Sequence, residues 1–233
     1  MLEVVGVVVG EAGSERLNRC SLTVRPGEVL GVVGPTGSGK TTLLEVMAGH
    51  LAPTRGRLTW EGREVTRSPD RLRAVTGLAP QSLPGPLALT AIQWLRLHAA
   101  LDAAPTTALD GVASELLARF ELTAVRDRRV SSLSRGMGCR LGLARLFLRG
   151  ARVLLLDGPD EGVDGAGLRV LTQLIKDASA SGRAVVLSSV TPHLPTMLCD
   201  RVAVLQGGAT AQEHTRGAPG YAAAVAAAQG WAS

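Results

Sequence analysis

Gly34-Pro35-Thr36-Gly37-Ser38-Gly39-Lys40-Thr41 fits G-x-x-x-x-G-K-[ST] in full. Upstream of it, Val29 to Val33 is a short apolar run with the character of a strand. Downstream, Thr41 to Gly49 has helical composition and stops at a glycine. Strand, glycine loop and helix start are the context this motif requires. Glycines let backbone N–H groups turn inward, and the helix start adds a positive dipole end, so the loop cradles a triphosphate. Lys40 then reaches the β- and γ-phosphates, Thr41 offers its hydroxyl to Mg2+, and Thr42 touches the α-phosphate.

A second element supports the loop. Val153-Leu154-Leu155-Leu156-Asp157 reads as a buried strand ending in a carboxylate, the arrangement that holds Mg2+ beside a phosphate loop. Working outward, Val4–Val9, Leu22–Val24, Leu58–Trp60 and Ala74–Ala79 read as strands. Between residues 86 and 150 the pattern turns helical. Ile92, Leu95 and Ala99 follow a Thr90 cap, Val112, Leu116, Leu117 and Phe120 keep helical spacing, and Leu141–Leu148 follows a Ser/Gly-rich turn. Strands then alternate with helices again: a helix near Leu168–Ala178, strands Ala184–Leu187 and Val202–Leu205, and an Ala-rich uncharged tail over 217–233. Alternation on either side of a helical stretch predicts a parallel α/β core, 1–85 and 151–216, with an inserted helical subdomain, 86–150.

Bulk composition narrows the function classes. The chain has 233 residues, 45% hydrophobic and 19% charged, which excludes global disorder. Net charge is +5, but the arginines are scattered and aromatics are only 3%, too few for a base-stacking platform, so no nucleic-acid partner is expected. Only Lys40 and Lys176 are lysines. Lys176 is read as a cation near a helix end. Cys20, Cys139 and Cys199 lie far apart among apolar neighbours and read as reduced core thiols. The uncharged run Ala74–Leu95 contains Pro80, Pro84 and Pro86 and does not read as a membrane span; no signal peptide is read at the start.

These residues in this order resemble the ATP-binding subunits of ABC transporters, over about Leu2 to Gln206. Gln81 sits where that family places its Q-loop glutamine, a Mg2+ contact. Leu133-Ser134-Arg135-Gly136-Met137 resembles the LSGGQ signature, Asp157 the Walker B aspartate, Asp164 the D-loop aspartate, and Asp200-Arg201 the strand entry near the end. The resemblance implies a P-loop NTPase core with an N-terminal antiparallel β subdomain. It implies ATP and Mg2+ as cofactors, bound at residues 34–42 with Thr41, Gln81 and Asp157 toward the metal. It also implies head-to-tail pairing in which Ser134 and Gly136 reach the partner's nucleotide, and a permease touching residues 86–150. The chain is then expected at the cytoplasmic face of the membrane.

Two departures matter more than the matches. The family has Asp-Glu-Pro, whose glutamate polarises the attacking water; here the run is Asp157-Gly158-Pro159. The family has Ser-Ser-His; here Val190 follows Ser188-Ser189. No residues 3–16 are aromatic, so the ring that stacks on adenine in the family is missing too. Glu161 and His193 are expected to be a solvated loop acid and a surface histidine, not replacements. The expectation is a subunit that binds MgATP at a hydrolysis-impaired site and pairs with a different, complete subunit, with a lean toward export. A non-hydrolytic regulatory module outside transport is the alternative, and a homodimer using Glu161 as base a third.

Overall fold

The computed structural model describes residues 1–80, 82–101, 109–189, 191 and 193–230; the expectations placed on Gln81, Val190 and the last three residues of the Ala-rich tail lie outside them. Two sheets form. In the first, β1 (Leu2–Val9), β2 (Leu17–Val24), β4 (Arg55–Trp60) and β5 (Arg63–Glu64) are antiparallel in the order β2-β1-β4-β5. β1 buries Leu2 and Val4, then Val7 and Val9, so its parity changes midway. The register shift between Val4 and Val7, with Gly6 at φ 58°, is a bulge that makes this switch.

The second sheet runs β10-β9-β3-β8-β7-β6, from β3 (Val29–Val33), β6 (Thr76–Ala79), β7 (Val153–Asp157), β8 (Ala184–Ser189), β9 (Arg201–Gln206) and β10 (Ala209–Thr215). All neighbours are parallel except the edge strand β10. β3, β7 and β8 are buried at every position, which is why they read as unbroken apolar runs: parallel strands are covered on both faces. Alternate β7 residues serve two cores. Leu154 and Leu156 pack on one face, Val153 and Leu155 on the other with the antiparallel sheet.

Eight helices complete the described chain: α1 (Lys40–Met47), α2 (Pro69–Val75), α3 (Ala91–Leu101), α4 (Leu109–Arg119), α5 (Arg135–Leu148), α6 (Gly165–Ala180), α7 (His193–Leu198) and α8 (Tyr221–Gly230). Thr90 caps α3 reciprocally: its Oγ1 accepts from Gln93 N–H while Gln93 Oε1 accepts from Thr90 N–H. Among the described residues between β6 and β7, the regular elements are helices and short 3-10 turns, with one isolated bridge between Thr90 and Arg129.

Some expectations are corrected. Ala74 and Val75 close α2 rather than open a strand, and the strand begins at Thr76. α5 starts at Arg135, within the signature-like run, and extends back past the stretch Leu141–Leu148 that reads as helical by period. Gly136 and Gly142 are contact points within α5: a Cβ on them would lie 3.2 Å from Val163 and 3.1 Å from Leu83. α6 continues to Ala180, which leaves Lys176 outside its last turn and removes its helix-end role. Trp94 reads in sequence as a packing residue that could alternatively face a membrane partner; it is fully buried, donates to the Pro84 carbonyl and packs on His98.

The Asp200-Arg201 pair has a structural task that spacing did not reveal. Asp200 accepts from Val29 N–H at 2.9 Å and donates its own N–H to Val29 O, locking β9 to the start of β3. Arg201 is buried against Glu28 at 2.8 Å and also reaches Glu213 on β10 and the Thr23 carbonyl on β2. One guanidinium therefore joins both sheets. Arg201→Ala strands the buried Glu28 carboxylate and is expected to cost about 3–5 kcal/mol in urea unfolding. Arg25→Ala, removing the 60% exposed partner of the same glutamate, is expected to cost under about 1 kcal/mol.

Candidate functional site

β3 ends at Val33, and the loop that follows is shaped by close backbone approach. At Gly34, φ 154°, a Cβ would lie 2.2 Å from Leu205 O; at Gly39, φ 99°, it would lie 2.5 Å from Arg16 O. No side chain longer than hydrogen fits either place. α1 then starts at Lys40 with no side-chain cap and no acidic residue in its first turn. Its first i→i−4 bond runs from Leu43 N–H to Gly39 O, so the N–H groups of Lys40, Thr41 and Thr42 have no intrahelical acceptor. An uncapped helix start on a cavity wall favours an anion.

That cavity measures about 500 Å3, and its wall includes Arg16, Thr36, Lys40, Thr41, Asp157 and Glu161. Lys40 is buried, and its ammonium donates to the Gly34 and Pro35 carbonyls at 2.8 and 2.7 Å. Burial pulls its pKa below the usual lysine range, against the opposing pull of Asp157 and Glu161. Strand register explains why these groups meet. Val33 pairs with Ser189 and Asp157 with Ser188, so the carboxyl ends of β3, β8 and β7 lie side by side.

Asp157 is held from the first turn of α1 and from β8. Its Oδ2 accepts from Thr41 Oγ1 at 2.9 Å, and its Oδ1 accepts from Ser188 Oγ at 2.6 Å. Ser188 Oγ in turn accepts from Gly158 N–H at 2.9 Å. Thr41 and Asp157 thus present two hard oxygens at the loop, a donor set that fits Mg2+, which takes one or two protein oxygens plus phosphates and water. Gly158 itself sits at φ 56°, a left-handed conformation that L side chains rarely adopt.

Glu161 differs from expectation. Instead of a solvated loop acid it stands on the cavity wall, a third exposed, paired with Arg135 at 3.2 Å. His193 is exposed at the start of α7, as expected. Asp160 was not singled out in sequence, yet its Oδ2 accepts from Thr191 Oγ1 at 2.7 Å and from Ser189 Oγ at 3.2 Å. These partners lie 29 and 31 residues away, so no local pattern announces them.

Ser134, Gly136 and Asp164 line a different cavity of about 660 Å3. Ser134 is the N-cap of α5, accepting from Met137 N–H, and Asp164 is the N-cap of α6, accepting from Gly167 N–H at 2.7 Å. Within one chain the structure brings the phosphate loop, Asp157 and Ser188 together and leaves the signature residues apart from them.

Residues 17–161 match the family described as ABC transporter. The ABC transporter ATP-binding/permease protein Rv1747 of Mycobacterium tuberculosis is 36% identical over 217 residues, which is 90% of this chain and 25% of that protein. The Nod factor export ATP-binding protein I of Rhizobium etli is 31% identical, over 83% of this chain and 61% of its own length. The chain therefore spans a quarter of the first relative and less than two thirds of the second. In fold it superimposes on an ATP-binding cassette solved as a dimer with ADP and Pi, with TM-score 0.82 over 92% of this chain and 98% of that one, at 22% identity. A phosphate-binding loop, a strand-end aspartate bonded to it and a helical insert carrying a capped signature serine are thus joined by sequence identity and by fold: this chain belongs to the ABC transporter family, among its ATP-binding subunits.

Proposed function

We propose that this chain binds MgATP at a site of low hydrolytic capacity, and pairs head to tail with a second, catalytically complete ATP-binding subunit. The observation that carries this reading is the state of the carboxylates around the phosphate loop. The residue after Asp157 is a glycine with left-handed backbone, where a glutamate would be strained. Of the two carboxylates on the cavity wall, Asp157 is engaged by Thr41 and Ser188, and Glu161 by Arg135. Neither is placed to orient a water and take its proton, and a missing general base costs about 10²–10⁴ in rate.

What remains intact is binding. The phosphate loop supplies orphan N–H groups and Lys40 supplies charge. When bound, Mg2+ neutralises charge between the phosphates, with Thr41 and Asp157 as its protein oxygens, and by resemblance Gln81. Ser134 and Gly136, set in the second cavity, would complete the partner's site, with Asp164 at the dimer surface. The division into an α/β core, 1–85 and 151–216, and a helical subdomain, 86–150, gives the permease its docking partner. Among the described residues no helix is long and apolar enough to cross a membrane. We therefore assign attachment at the cytoplasmic face through that permease. The Nod factor export relatives support an exporter.

Three outcomes test the reading. Calorimetry on the purified chain is expected to show MgATP binding with hydrolysis at background; brisk turnover removed by Lys40→Ala would overturn it. Asp157→Asn is expected to leave ATP binding but abolish most of its Mg2+ dependence, measured as the affinity ratio with and without the ion. Glu161→Gln is expected to leave the low turnover unchanged. A fall of tenfold or more would make Glu161 the base.

A further inference from the structure

We propose that Arg135 is a terminal-phosphate contact within its own chain: its guanidinium reaches past Glu161 to the γ-phosphate in the phosphate-loop cavity, so that the helical subdomain tells ATP from ADP. This rests on the reading of that cavity as an ATP site, and it is separate from the role proposed for Ser134 and Gly136 on a partner's nucleotide. Ser134 and Gly136 line the second cavity, and Arg135 does not. It shares instead with Asp157, Gly158 and Glu161 the wall of a small hollow. Asp157 and Glu161 also belong to the wall of the phosphate-loop cavity, so the hollow and that cavity adjoin.

Two contacts aim the side chain. Its Nη2 donates to Glu161 Oε2 at 3.2 Å, and its Cδ lies 2.9 Å from where a Cβ on Gly162 would stand. Gly162, at φ 66°, thus leaves open the track along which the stem runs. Charge supplies the reason for the arrangement. Glu161 faces the same cavity as Lys40 and acts on that ammonium together with Asp157. An acid there opposes a triphosphate unless a cation accompanies it. Among the described residues Arg135 spends one hydrogen bond on Glu161, and its Nε and Nη1 keep their N–H groups for another acceptor. A guanidinium is flat and forked and meets phosphate oxygens two at a time, so one edge holds the carboxylate while another meets the phosphate. The two side chains are 45% and 33% exposed, so the fork turns without disturbing a core. The loop's N–H groups and Lys40 take up the inner phosphates. The wall from Asp157 to Glu161 faces what projects beyond them, the phosphate that ADP lacks.

Calorimetry with MgATP and MgADP on the full chain, at concentrations where sedimentation shows a single protomer, tests the assignment. Arg135→Ala, with Arg135→Gln as its bulkier counterpart, is expected to weaken MgATP about 10- to 100-fold, the range for one lost hydrogen bond to a charged group, and to leave MgADP within about twofold. Glu161→Gln keeps the shape and removes the opposing charge, and is expected to hold or raise the preference for ATP. Equal losses for both nucleotides, or none for either, would overturn the proposal. So would a fall for Glu161→Gln that matches Arg135→Ala, since the pair would then be structural. A loss seen only where the chain self-associates would place Arg135 on a partner's nucleotide and overturn the assignment to its own chain. A wild-type chain that binds neither nucleotide overturns the ATP reading of the cavity itself, and this inference with it. An unchanged unfolding midpoint verifies that the variants fold.

Discussion

Everything at the site depends on the register of three parallel strands. Val33 opposite Ser189 and Asp157 opposite Ser188 bring to one edge a glycine loop, a carboxylate 116 residues beyond Thr41, and a hydroxyl 31 residues further on. A slip of one residue would turn Asp157 away from Thr41 and put an apolar side chain in its place, since successive strand residues face opposite sides. The buried Glu28–Arg201 pair guards that register from the other end of β3, with Asp200 bonded directly to the first residue of the strand. The geometry at one end is thus secured by an ion pair and two hydrogen bonds at the opposite end.

The parts legible in sequence are those with a strong local signal. β3 and its loop could be read because buried parallel strands leave unbroken apolar runs, and because the loop has few chemical solutions. The Thr90 cap was legible for the same reason. β10 was not: its residues, Ala209–Thr215, are polar and largely exposed on an edge strand, so no hydrophobic period marks them. The first turns of α5 lack an apolar period because glycines stand there, and only the signature-like run marks the helix start; in the fold Gly136 and Gly142 permit close packing against Val163 and Leu83. Trp94 shows the limit of composition, since an aromatic on a helix reads equally well as core or as interface until its neighbours are known.

At the candidate site, identities were legible and pairings were not. Lys40, Thr41 and Asp157 could be named from motif spacing. The roles of Asp160, Glu161 and Arg135 could not, because each is set by contacts with residues far away in sequence. The pairing of Arg135 with Glu161 changes how both are understood. Arg135 lies in the stretch that resembles the family's signature, and Glu161 stands on the wall of the phosphate-loop cavity. In the fold each neutralises the other across 26 residues, and the charge of the cavity wall falls accordingly.

The cap at the start of α5 has a consequence for chemistry at the second cavity. Ser134 spends a lone pair on Met137 N–H, which is a task for the oxygen and not for the hydrogen. Its O–H bond therefore stays free to rotate outward over the rim, alongside the unpaired N–H groups of the same helix turn. Capping the helix and donating a hydrogen toward the cavity are therefore compatible within one hydroxyl.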